Sequence, residues 1–559
     1  MSGPIAFNIL DGQLGQLPAS IANAVLHAGV CANGTPDVVY GLADPATAAS
    51  TLGPGSLTEN AADTITVAGA CFACPINPSV AGSMGAVTHL GTGAGTLAVT
   101  LAPAVQIQAK ITTGGALGTM AVAFSLNGGA YSTPVVSTAT AYSVLVPGTL
   151  TVLTFAAQTY TAAAVWTIST AGVISLSGTG TVGWVTQASS PLDAYDMFVT
   201  VTTAGALGAA QVTVSVDGQG GNSTSAPIQV PGGGVYVVPN TGLVLTFAST
   251  FVAGDTYESL ATTAGFAGSD VTAMLTAAGN SPNKYILVHI AGEGANTAAA
   301  VSLAGTVDTS MTAFATNYRF VFGVIENPDG ESDATVEAGW ASFASDRIMV
   351  CCTDVLHRSS LSGSLIRRNC ATPITSRLAA TNPSIDPGWV GGGALANVQA
   401  IYRDEAKTPG FALNRITCMT TQPMKQGYFS STGLMMAASG SDFASVMNRR
   451  VMDVACTVTA GALINNVNQA LIVNPAGRTN AGGIYDPEAE KIEGFVEAQI
   501  NAALLTNSPP DISAPATANI NRSENILETG NFTITIGIVP KGYARTINVN
   551  IGFVNPAFS

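Results

Sequence analysis

The chain has 559 residues, of which 47 % are hydrophobic and only 9 % charged, and its formal net charge is −14. This length predicts several domains with substantial cores, and the scarcity of charge means that Ser, Thr, Asn, Gly and Ala cover much of the surface. An acidic surface repels phosphate groups and anionic lipid heads, which argues against a nucleic-acid partner or a membrane-surface role.

The sequence also lacks the patterns of an exported or membrane-spanning chain. Between Asp63 and Asp193 the only charged residue is Lys110, but Gly, Thr, Ser or Pro interrupts every apolar run. No segment reaches the roughly 20 apolar residues of a membrane span. Residues 1–4 carry no basic region ahead of an apolar core, so we expect no secretory signal. The eight cysteines are sparse, which predicts reduced, buried thiols in a protein made in a cytosol.

The first predicted element in chain order is an N-terminal arm. Residues 5–10 have the pattern of a short strand before the turn residues Asp11 and Gly12. We assign residues 1–20 to this arm and residues 21–85 to the first part of a core domain. A strand at a chain end presents unpaired backbone groups, so we expect partner strands from other chains.

An internal repeat follows the first part of the core. Three segments return about 90 residues later in the same order. They are residues 111–118 as 201–208, 152–155 as 244–247, and 169–172 as 262–265. Alternating apolar residues before the turns at 127–129 and 217–218 are typical of antiparallel hairpins. The sequence therefore predicts two tandem all-β modules, sandwiches or barrels, at residues 86–182 and 183–265.

After residue 265 the pattern changes to alternating strands and helices. Short apolar runs at residues 284–290, 319–325 and 348–352 predict buried strands, and the segments between them predict helices. Such alternation is typical of a layered α/β domain, which we assign to residues 266–440. The chain is thus predicted to be a multidomain α+β protein in which two all-β modules interrupt a layered α/β core.

A C-terminal α+β domain is assigned to residues 441–559. Proline between acidic residues at 486–488 is typical of a helix start. The apolar stripe of this helix consists of Ile492, Phe495, Val496, Ile500 and Leu504. Residues 532–538 and 547–553 each alternate with one apolar face and flank a Pro-Lys-Gly turn, which predicts a terminal hairpin.

Three patterns suggest chemistry, and each has a simpler interpretation. Cys71 and Cys74 have the spacing of a redox pair or half a zinc site, but no second pair stands nearby, so structural burial is favoured. Cys351 and Cys352 lie in an apolar strand, whose alternation sends them to opposite faces. Residues 178–183 match a dinucleotide-binding glycine spacing, but no helix pattern follows to bind a pyrophosphate. We therefore predict no metal and no cofactor.

A hydrolase site is the enzymatic alternative. Asp354 and His357 lie close in the sequence to Ser359 and Ser360, so a triad can be assembled from them. Proximity in the sequence is weak support, because a loop at a strand end needs polar residues in any case. The sequence has no HExxH, GxSxG or Walker A motif, and we predict a non-enzymatic protein.

Two groups of charged residues stand out because charge is so scarce. They are Arg403, Asp404 and Glu405, and the pair Arg449 and Arg450. Solvated surface is the default interpretation, with little stabilisation from each pair. At subunit contacts these residues would instead set the register between subunits.

The order of several short motifs resembles that of one known family. Residues 38–45 lead to a glycine motif at 52–57, and the glycine pair at 482–483 precedes a helix that carries Glu493. The chain then ends in an alternating strand, residues 547–554. This order is similar to that of contractile phage tail sheath proteins. The resemblance covers the first eighty-odd residues and most of the chain after the β-modules.

The resemblance implies a structural role and a mode of assembly. Sheath subunits surround a tail tube in a helical lattice, and terminal arms of neighbours add strands to the C-terminal domain of another subunit. The implied linking residues are Ile5, Phe7, Ile9, Ile547, Val549, Ile551 and Phe553. Candidate contacts with other subunits or with the tube are Arg403, Asp404, Glu405, Arg449, Arg450 and Glu493.

The function implied by the resemblance is that of a phage tail sheath subunit. Such a subunit polymerises around the tube and contracts without a nucleotide to drive the tube through the bacterial envelope for genome delivery. The implied partners are further copies of the chain, the tail tube protein, and baseplate and tail terminator proteins. The implied location is the virion, after assembly in the host cytoplasm. Two alternatives stay open: the sheath of a pyocin-like or type VI secretion machine, and a surface adhesin that uses the β-modules.

Overall fold

The computed structural model describes residues 23–138, 142–292, 294–438, 440–477 and 479–545. The chain divides into unit 1, which is Met1–Thr381 with Asp386–Arg449, and unit 2, which is Asn382–Ile385 with Arg450–Ser559. We predicted a domain boundary after residue 440, whereas the division between the two units lies between Arg449 and Arg450, within the helix Val446–Leu463. Among the described residues, every helix is too short or too polar to cross a membrane.

The first elements of unit 1 are two helices and three strands. In chain order they are β1 Val25–Gly29, β2 Tyr40–Leu42, α1 Pro45–Leu52, α2 Ser56–Ala68 and β3 Cys71–Pro75. Asp44 caps α1, because its carboxylate accepts the N–H of Thr47 at 2.7 Å. The predicted glycine motif forms the corner between the helices. Gly55 has φ +148°, and a Cβ there would lie 2.8 Å from the carbonyl oxygen of Val30, so only glycine fits.

The next segment, residues 83–262, contains only strands and one short 3-10 helix among its described residues. The strands are β4 Ser83–Met84, β5 Thr88–Leu90, β6 Thr96–Leu101, β7 Ile107–Thr113, β8 Gly115–Ala116, β9 Ala121–Leu126, β10 Val135–Val136, β11 Tyr142–Leu145, β12 Thr151–Phe155, β13 Thr159–Tyr160, β14 Val165–Ile168, β15 Ile174–Ser177, β16 Val185–Ser189, β17 Asp196–Thr203, β18 Gln211–Ser215, β19 Ile228–Gln229, β20 Val235–Val238, β21 Leu243–Ala248 and β22 Thr256–Thr262.

These strands form two modules with separate apolar cores. Module A contains the sheets β10-β9-β7-β14-β15 and β11-β12-β16, and module B contains β19-β18-β17-β22-β4, with β5 also on β22, and β20-β21-β6. The core of module A includes Trp166 and Phe155, and the core of module B includes Tyr257 and Phe247. The strands of these sheets pair antiparallel, as the alternating pattern predicted.

The strand pairing differs from the module boundaries that we predicted at 86–182 and 183–265. β6 was placed in the first module but pairs with β21 of module B. β16 was placed in the second module but pairs with β12 of module A. Period-2 alternation shows that a segment is a strand but carries no information about which strand it pairs with, so the boundary depended on contacts that the sequence pattern does not contain.

The remaining elements of unit 1 alternate between helix and strand as predicted only as far as β25, after which strands follow one another directly. They are α3 Gly268–Asn280, β23 Leu287–Ala291, α4 Thr297–Thr316, β24 Phe322–Asn327, α5 Asp333–Trp340, β25 Ile348–Cys352, β26 Asp354–Arg358, β27 Leu365–Asn369, α6 Ala371–Ala380, β28 Val398–Ile401, β29 Met419–Thr420, β30 Phe429–Ser430 and α7 Val446–Leu463. The helix α7 continues into unit 2.

Strands from before and after the β-modules share one six-stranded sheet. Its order is β2-β3-β1-β23-β24-β25, and β1 pairs in parallel with both β3 and β23. Leu26 and Val288 join the core that contains residues of α3 and α4. His27 and His289 alternate with them and therefore point to the other face, where His27 contacts Thr64 of α2. The parallel strands are buried on both faces, as parallel sheets usually are.

Unit 2 contains a long helix and a small sheet. Its elements after α7 are α8 Asp486–Leu504, β31 Thr517–Ile520, α9 Ile526–Thr529 and β32 Ile534–Gly537. Ile492 of α8 packs with Ile484 and Ile520, while Phe495, which we placed on the same apolar stripe, is 47 % exposed. The sheet is antiparallel and two-stranded in the described residues, with Ala518 opposite Ile536.

Candidate functional site

One edge of the sheet in unit 2 is closed by a helix. The helix α8 carries three acceptor side chains at i, i+4 spacing, which places them on one face. They accept successive outward N–H groups of the adjacent chain: Glu493 from Ile520, Glu497 from Ala518 at 2.7 Å, and Asn501 from Ala516 at 2.8 Å. These bonds satisfy the donors that a further strand would need, so this edge does not accept one.

An arginine holds the first of these acceptors in place. Both terminal nitrogens of the Arg522 guanidinium contact the carboxylate of Glu493, with Nη2 at 2.8 Å from Oε2. This hydrogen bond lowers the pKa of Glu493, so its carboxylate stays ionised as an acceptor. The side chain of Glu493 is 12 % exposed. Glu493, which we listed as a candidate tube or subunit contact, therefore has a role inside its own chain.

The opposite edge of the same sheet is open among the described residues. The bond from Asn521 N–H to the Thr533 carbonyl fixes which pairs of the ladder are hydrogen-bonded. By alternation, Ala518 on β31 and Ile534 and Ile536 on β32 point their backbone groups away from the partner strand. The outward N–H groups of β31 donate to Glu493 and Glu497 of α8. The outward backbone groups of β32 face away from the sheet. Among the described residues, the open edge of this sheet is therefore at β32.

The linking residues predicted from the resemblance lie outside the described residues. These are Ile5, Phe7, Ile9, Ile547, Val549, Ile551 and Phe553. Residues 532–538, the other half of the predicted terminal hairpin, pair with β31 through the described strand Ile534–Gly537. The strand role of 547–553 stays a prediction.

The first charged group, Arg403, Asp404 and Glu405, forms contacts between segments of unit 1. The Arg403 guanidinium contacts Asp333 at 2.9 Å and Glu405 at 2.6 Å, and it stacks on the ring of Phe411 at 3.6 Å. Asp404 accepts the N–H of Thr421 at 2.9 Å. These side chains hold neighbouring segments of the same chain together. Their predicted contact with the tube or another subunit stays a prediction.

The second charged group is not the solvated surface that we expected. Arg449 is 3 % exposed, contacts Asp346 at 3.1 Å in unit 1 and stacks on Phe443. Arg450 is 1 % exposed and donates to the carbonyl of Asn382 in unit 2. Burial lowers the pKa of Arg450 to about 10. Backbone carbonyls and carboxylates provide partners that let a chain with little surface charge bury these two arginines.

The structure brings together a buried acid cluster that the sequence analysis did not identify. Glu59 and Asp63 lie one turn apart on α2, beside Arg368 of β27 and Asp193. Arg368 and Asp193 form a two-bond ion pair, with Nη1–Oδ1 at 2.7 Å and Nη2–Oδ2 at 2.8 Å. His357 Nδ1 lies 3.3 Å from Asp63 Oδ2. Three carboxylates thus share one buried guanidinium.

Burial dominates the electrostatics of this acid cluster. It raises the pKa of Glu59 to about 7 and that of Asp63 to about 6, and Arg368 only partly offsets these shifts. Burial also lowers the pKa of His357 to about 3, and the neighbouring Arg368 adds to this effect. A cavity of about 370 Å³ borders the cluster and is lined by Glu59, Asp193 and Tyr195 among others.

A second buried polar network crosses the six-stranded sheet. His289 Nε2 lies 2.9 Å from Glu326, which also accepts the N–H of Gly292. The Nδ1 atoms of His289 and His27 are 3.0 Å apart, and His27 Nε2 lies 2.8 Å from Thr64 Oγ1. When Glu326 accepts from His289 Nε2, His27 Nδ1 donates to His289 Nδ1, and the Thr64 hydroxyl donates to His27 Nε2. Burial and the neighbouring His289 lower the pKa of His27 in agreement with this assignment.

We expect Thr64→Val to lower the free energy of unfolding by about 1–2 kcal/mol, because the isosteric side chain leaves buried His27 Nε2 without its donor. The Thr64 hydroxyl also lies 2.8 Å from Ser376 Oγ, so two buried bonds are lost. Denaturant unfolding of the unassembled protein measures the change. Thr66→Val on the same helix is the matched control, because Thr66 is exposed and bonds only to the helix carbonyl of Ala62. Equal effects of the two substitutions would contradict the network.

The remaining chemical candidates are not assembled into sites. Cys71 and Cys74 lie in different apolar clusters, and burial raises the pKa of Cys74 to about 12. Residues 178–183 lead into a one-turn 3-10 helix, Val182–Trp184, and then a strand. Among the described residues, no three His, Cys, Asp or Glu side chains are placed to hold a metal ion.

The proposed hydrolase triad is divided between different partners. Asp354 contacts Arg367 at 2.5 Å, whereas His357 contacts Asp63. Ser359 Oγ donates to Glu59 at 2.6 Å, and Ser360 Oγ donates to Asp63. Asp354 and His357 are three residues apart on β26, which sends them to opposite faces of the strand. The structure therefore does not support a triad built on these two residues.

Two family models match the chain over most of its length. The model for the DUF2586 N-terminal domain matches residues 2–415, and the model for the DUF2586 C-terminal domain matches residues 442–558. The chain belongs to the DUF2586 family. Among curated proteins, none matches the sequence of this DUF2586 member.

Solved structures that are similar to this DUF2586 member include tail sheath proteins. The sheath tail protein of Desulfitobacterium hafniense is 10 % identical with a TM-score of 0.41, and the match covers 96 % of this chain and 100 % of that one. The sheath tail protein of Listeria innocua is 10 % identical with a TM-score of 0.40, covering 94 % and 96 %. The contracted helical sheath of the anti-feeding prophage is 11 % identical with a TM-score of 0.36, covering 53 % and 78 %. These neighbours are of the class that the sequence resemblance named.

Sequence reasoning missed most of the polar groups that this DUF2586 chain buries. The i, i+4 spacing of Glu59 and Asp63 was the available signal for the acid cluster, but the same spacing is common on solvated helices. Glu493, Glu497 and Asn501 have the same spacing, and their role depends on a strand that begins after the helix ends. His27 and His289 lie in apolar strands far apart in the sequence, so nothing local indicated that they meet.

Proposed function

We propose that the chain is a structural subunit of a contractile phage tail sheath. In this proposal the subunits polymerise helically around the tail tube, and contraction drives the tube through the bacterial envelope. The motif order at both ends of the sequence supports the proposal, and the six-stranded sheet supports it as well, because its strands come from the two stretches that carry the resemblance. A catalytic role is not part of the proposal.

The observation that carries the proposal is the sheet of unit 2, in which the described residues close one edge and leave the other open. Glu493, Glu497 and Asn501 satisfy the donors on the β31 side, while β32 presents its outward backbone groups. An extended arm from a neighbouring copy would add a strand at β32 by main-chain hydrogen bonds, each contributing about 0.5–1.5 kcal/mol. Arms of further copies would link subunits into a continuous mesh.

The proposal assigns the linking role to the two terminal segments. Ile5, Phe7 and Ile9 form one arm, and the other arm contains the alternating residues Ile547, Val549, Ile551 and Phe553. The partners in the assembled machine are the tail tube, baseplate and terminator proteins, and the subunit is assembled in the host cytoplasm before it becomes part of the virion. Contraction proceeds through rearrangement of subunits about these arms.

Electron microscopy of the purified full-length protein tests the proposal directly. We expect hollow tubes or stacked rings with helical order in negative stain. A chain that lacks residues 547–559 is expected to stay unassembled with an unchanged circular dichroism spectrum, because the proposal assigns these residues a role in linking subunits. Normal tubes from the truncated chain would exclude strand linking by this segment.

Removing the β-modules is expected to leave assembly intact. Val80 and Gly265 exchange two backbone hydrogen bonds, 3.1 and 2.8 Å long, so the chain enters and leaves the modules at adjacent points. Deleting residues 81–264 with a short glycine linker should therefore preserve the six-stranded sheet. We expect tubes of smaller outer diameter from this variant. Absence of tubes from a folded variant would show that the modules contribute to the lattice.

A further inference from the structure

The sequence repeat extends into the segments that precede each module's long strands. The Gly-Thr-Gly run at residues 91–93 lies between β5 and β6, and the same run at residues 178–180 lies between β15 and β16. β5 and β6 lead directly to β7, just as β15 and β16 lead directly to β17. By sequence, β5–β14 and β15–β22 are therefore two copies of one repeat.

The strand register confirms that these segments occupy equivalent places. In module A, Trp166 lies opposite Leu176 of β15, and in module B, Tyr257 lies opposite His89 of β5. A second pair of positions agrees with the first. Thr154 lies opposite Thr186 of β16, and Thr246 lies opposite Ala98 of β6. The pair β5–β6 thus completes module B in the way that β15–β16 completes module A.

The two pairs of strands have exchanged places relative to the repeat. β5–β6 belong to the first copy of the repeat, but they pair with strands of module B. β15–β16 belong to the second copy, but they pair with strands of module A. Module A is therefore one continuous segment, from β7 to β16. Module B is assembled from two segments, β4–β6 and β17–β22, which precede and follow module A in the chain.

The chain enters and leaves module A at one point of module B. The N–H of Ala102 donates to the carbonyl of Gly242 at 3.1 Å, and the N–H of Leu192 donates to the carbonyl of Thr241 at 3.0 Å. Thr241 and Gly242 are consecutive residues. Ala102 and Leu192, which precede and follow module A in the chain, thus lie side by side in the folded protein. A module A that folds first brings the two segments of module B to this spacing, which removes most of the entropy loss that closing module B would otherwise require.

We infer that module A folds autonomously and that, in the intact chain, module B forms only when a folded module A holds the two segments of module B together. The dependence runs in one direction, because every strand of module A is contiguous in the chain and needs nothing from module B. Module B, by contrast, needs both of its segments to be held together. The β-modules therefore open in a fixed order, module B before module A.

Matched core substitutions in the full-length chain test this order. Phe155 and Phe247 are equivalent positions of the repeat and are both fully buried. Amide hydrogen exchange measured by mass spectrometry reports on the strands Thr151–Phe155 of module A and Leu243–Ala248 of module B. Phe247→Ala is expected to accelerate exchange at least 10-fold in module B and to leave module A unchanged. Phe155→Ala is expected to accelerate exchange in both modules.

Each alternative outcome would overturn the inference. Opening of module A by Phe247→Ala would show mutual dependence, and protection of module B in Phe155→Ala would show independent modules. If either alanine variant fails to fold, Phe155→Leu and Phe247→Leu provide the same comparison with smaller effects. Replacing residues 103–191 with a two-glycine linker is expected to keep module B protected, and loss of its protection would contradict the role of the adjacent ends.

Cysteine cross-linking tests the strand exchange itself. Ala98→Cys with Thr246→Cys joins positions that lie opposite each other in the structure. Ala98→Cys with Thr154→Cys is the matched control, because Thr154 is the position in module A that corresponds to Thr246. Mild oxidation is expected to give a reducible shift in gel mobility only with the first pair. A cross-link only with the second pair would show that β6 pairs within its own repeat and would overturn the inference.

Discussion

Ile536→Pro is expected to abolish assembly into tubes while leaving the protein folded. Proline has no backbone N–H, and the N–H of Ile536 points to the open edge of β32, away from its partner Ala518. The substitution thus removes a donor that an added strand would use but no bond of the existing ladder. Negative-stain microscopy measures assembly, and thermal unfolding of the unassembled protein measures the fold.

Two variants at neighbouring positions separate strand addition from other effects. Ile536→Ala shortens the side chain but keeps the N–H, so it is expected to assemble. Thr535→Pro removes an N–H that bonds to Asn519 across the ladder, so it is expected to lower the unfolding temperature of the protein. Tubes from Ile536→Pro at the wild-type yield would show that β32 is not the acceptor edge.

Glu59→Gln is expected to make the protein more stable than the wild type at pH 8, but not at pH 4. Burial raises the pKa of Glu59 from 4.5 to about 7, so the folded state keeps a proton that the unfolded state loses over this range. Wild-type stability therefore falls as the pH rises from 4.5 through 7, by up to about 3 kcal/mol. Glutamine stays neutral and still accepts from Ser359, so the variant lacks this loss.

The other titrating groups of the acid cluster set the controls. The pKa of Asp63 is raised to about 6, so Asp63→Asn should diverge from the wild type in the same direction but finish by about pH 7. The pKa of His357 is lowered to about 3, which gives the opposite slope: this contribution is lost as the pH falls below 6.5 toward 3. Arg368 stays charged over this pH range, and neither variant replaces its ion-pair partner Asp193.

Urea unfolding of the unassembled protein from pH 4 to pH 8 measures these differences. The difference in unfolding free energy between Glu59→Gln and the wild type should grow with pH and level off above pH 7. A variant that is less stable than the wild type at pH 8 would show that the Glu59 carboxylate is stabilised by Arg368 more than it is destabilised by burial. Such a result would contradict the direction of the shift.

Local patterns in the sequence were sufficient where the structure is determined by short-range geometry. The runs at 284–290, 319–325 and 348–352 lie on or next to the observed strands β23, β24 and β25. The helix predicted from the proline and acidic residues at 486–488 begins at Asp486. Alternation with period 2 and the apolar stripe of an amphipathic helix follow from backbone geometry, so both patterns can be recognised in the sequence of a single segment.

The sequence by itself determined that this protein contains a repeated all-β region, a segment of alternating strands and helices after it, and a helix that begins at Asp486. The tertiary structure alone decided the exchange of β5–β6 and β15–β16 between modules, the burial of Arg450, and the meeting of Glu59 with Arg368. Each of these depends on which distant segments come together. Which segments come together depends on the packing of whole sheets and on the entropy of closing long loops. Neither factor produces a periodic pattern in the sequence of the residues involved.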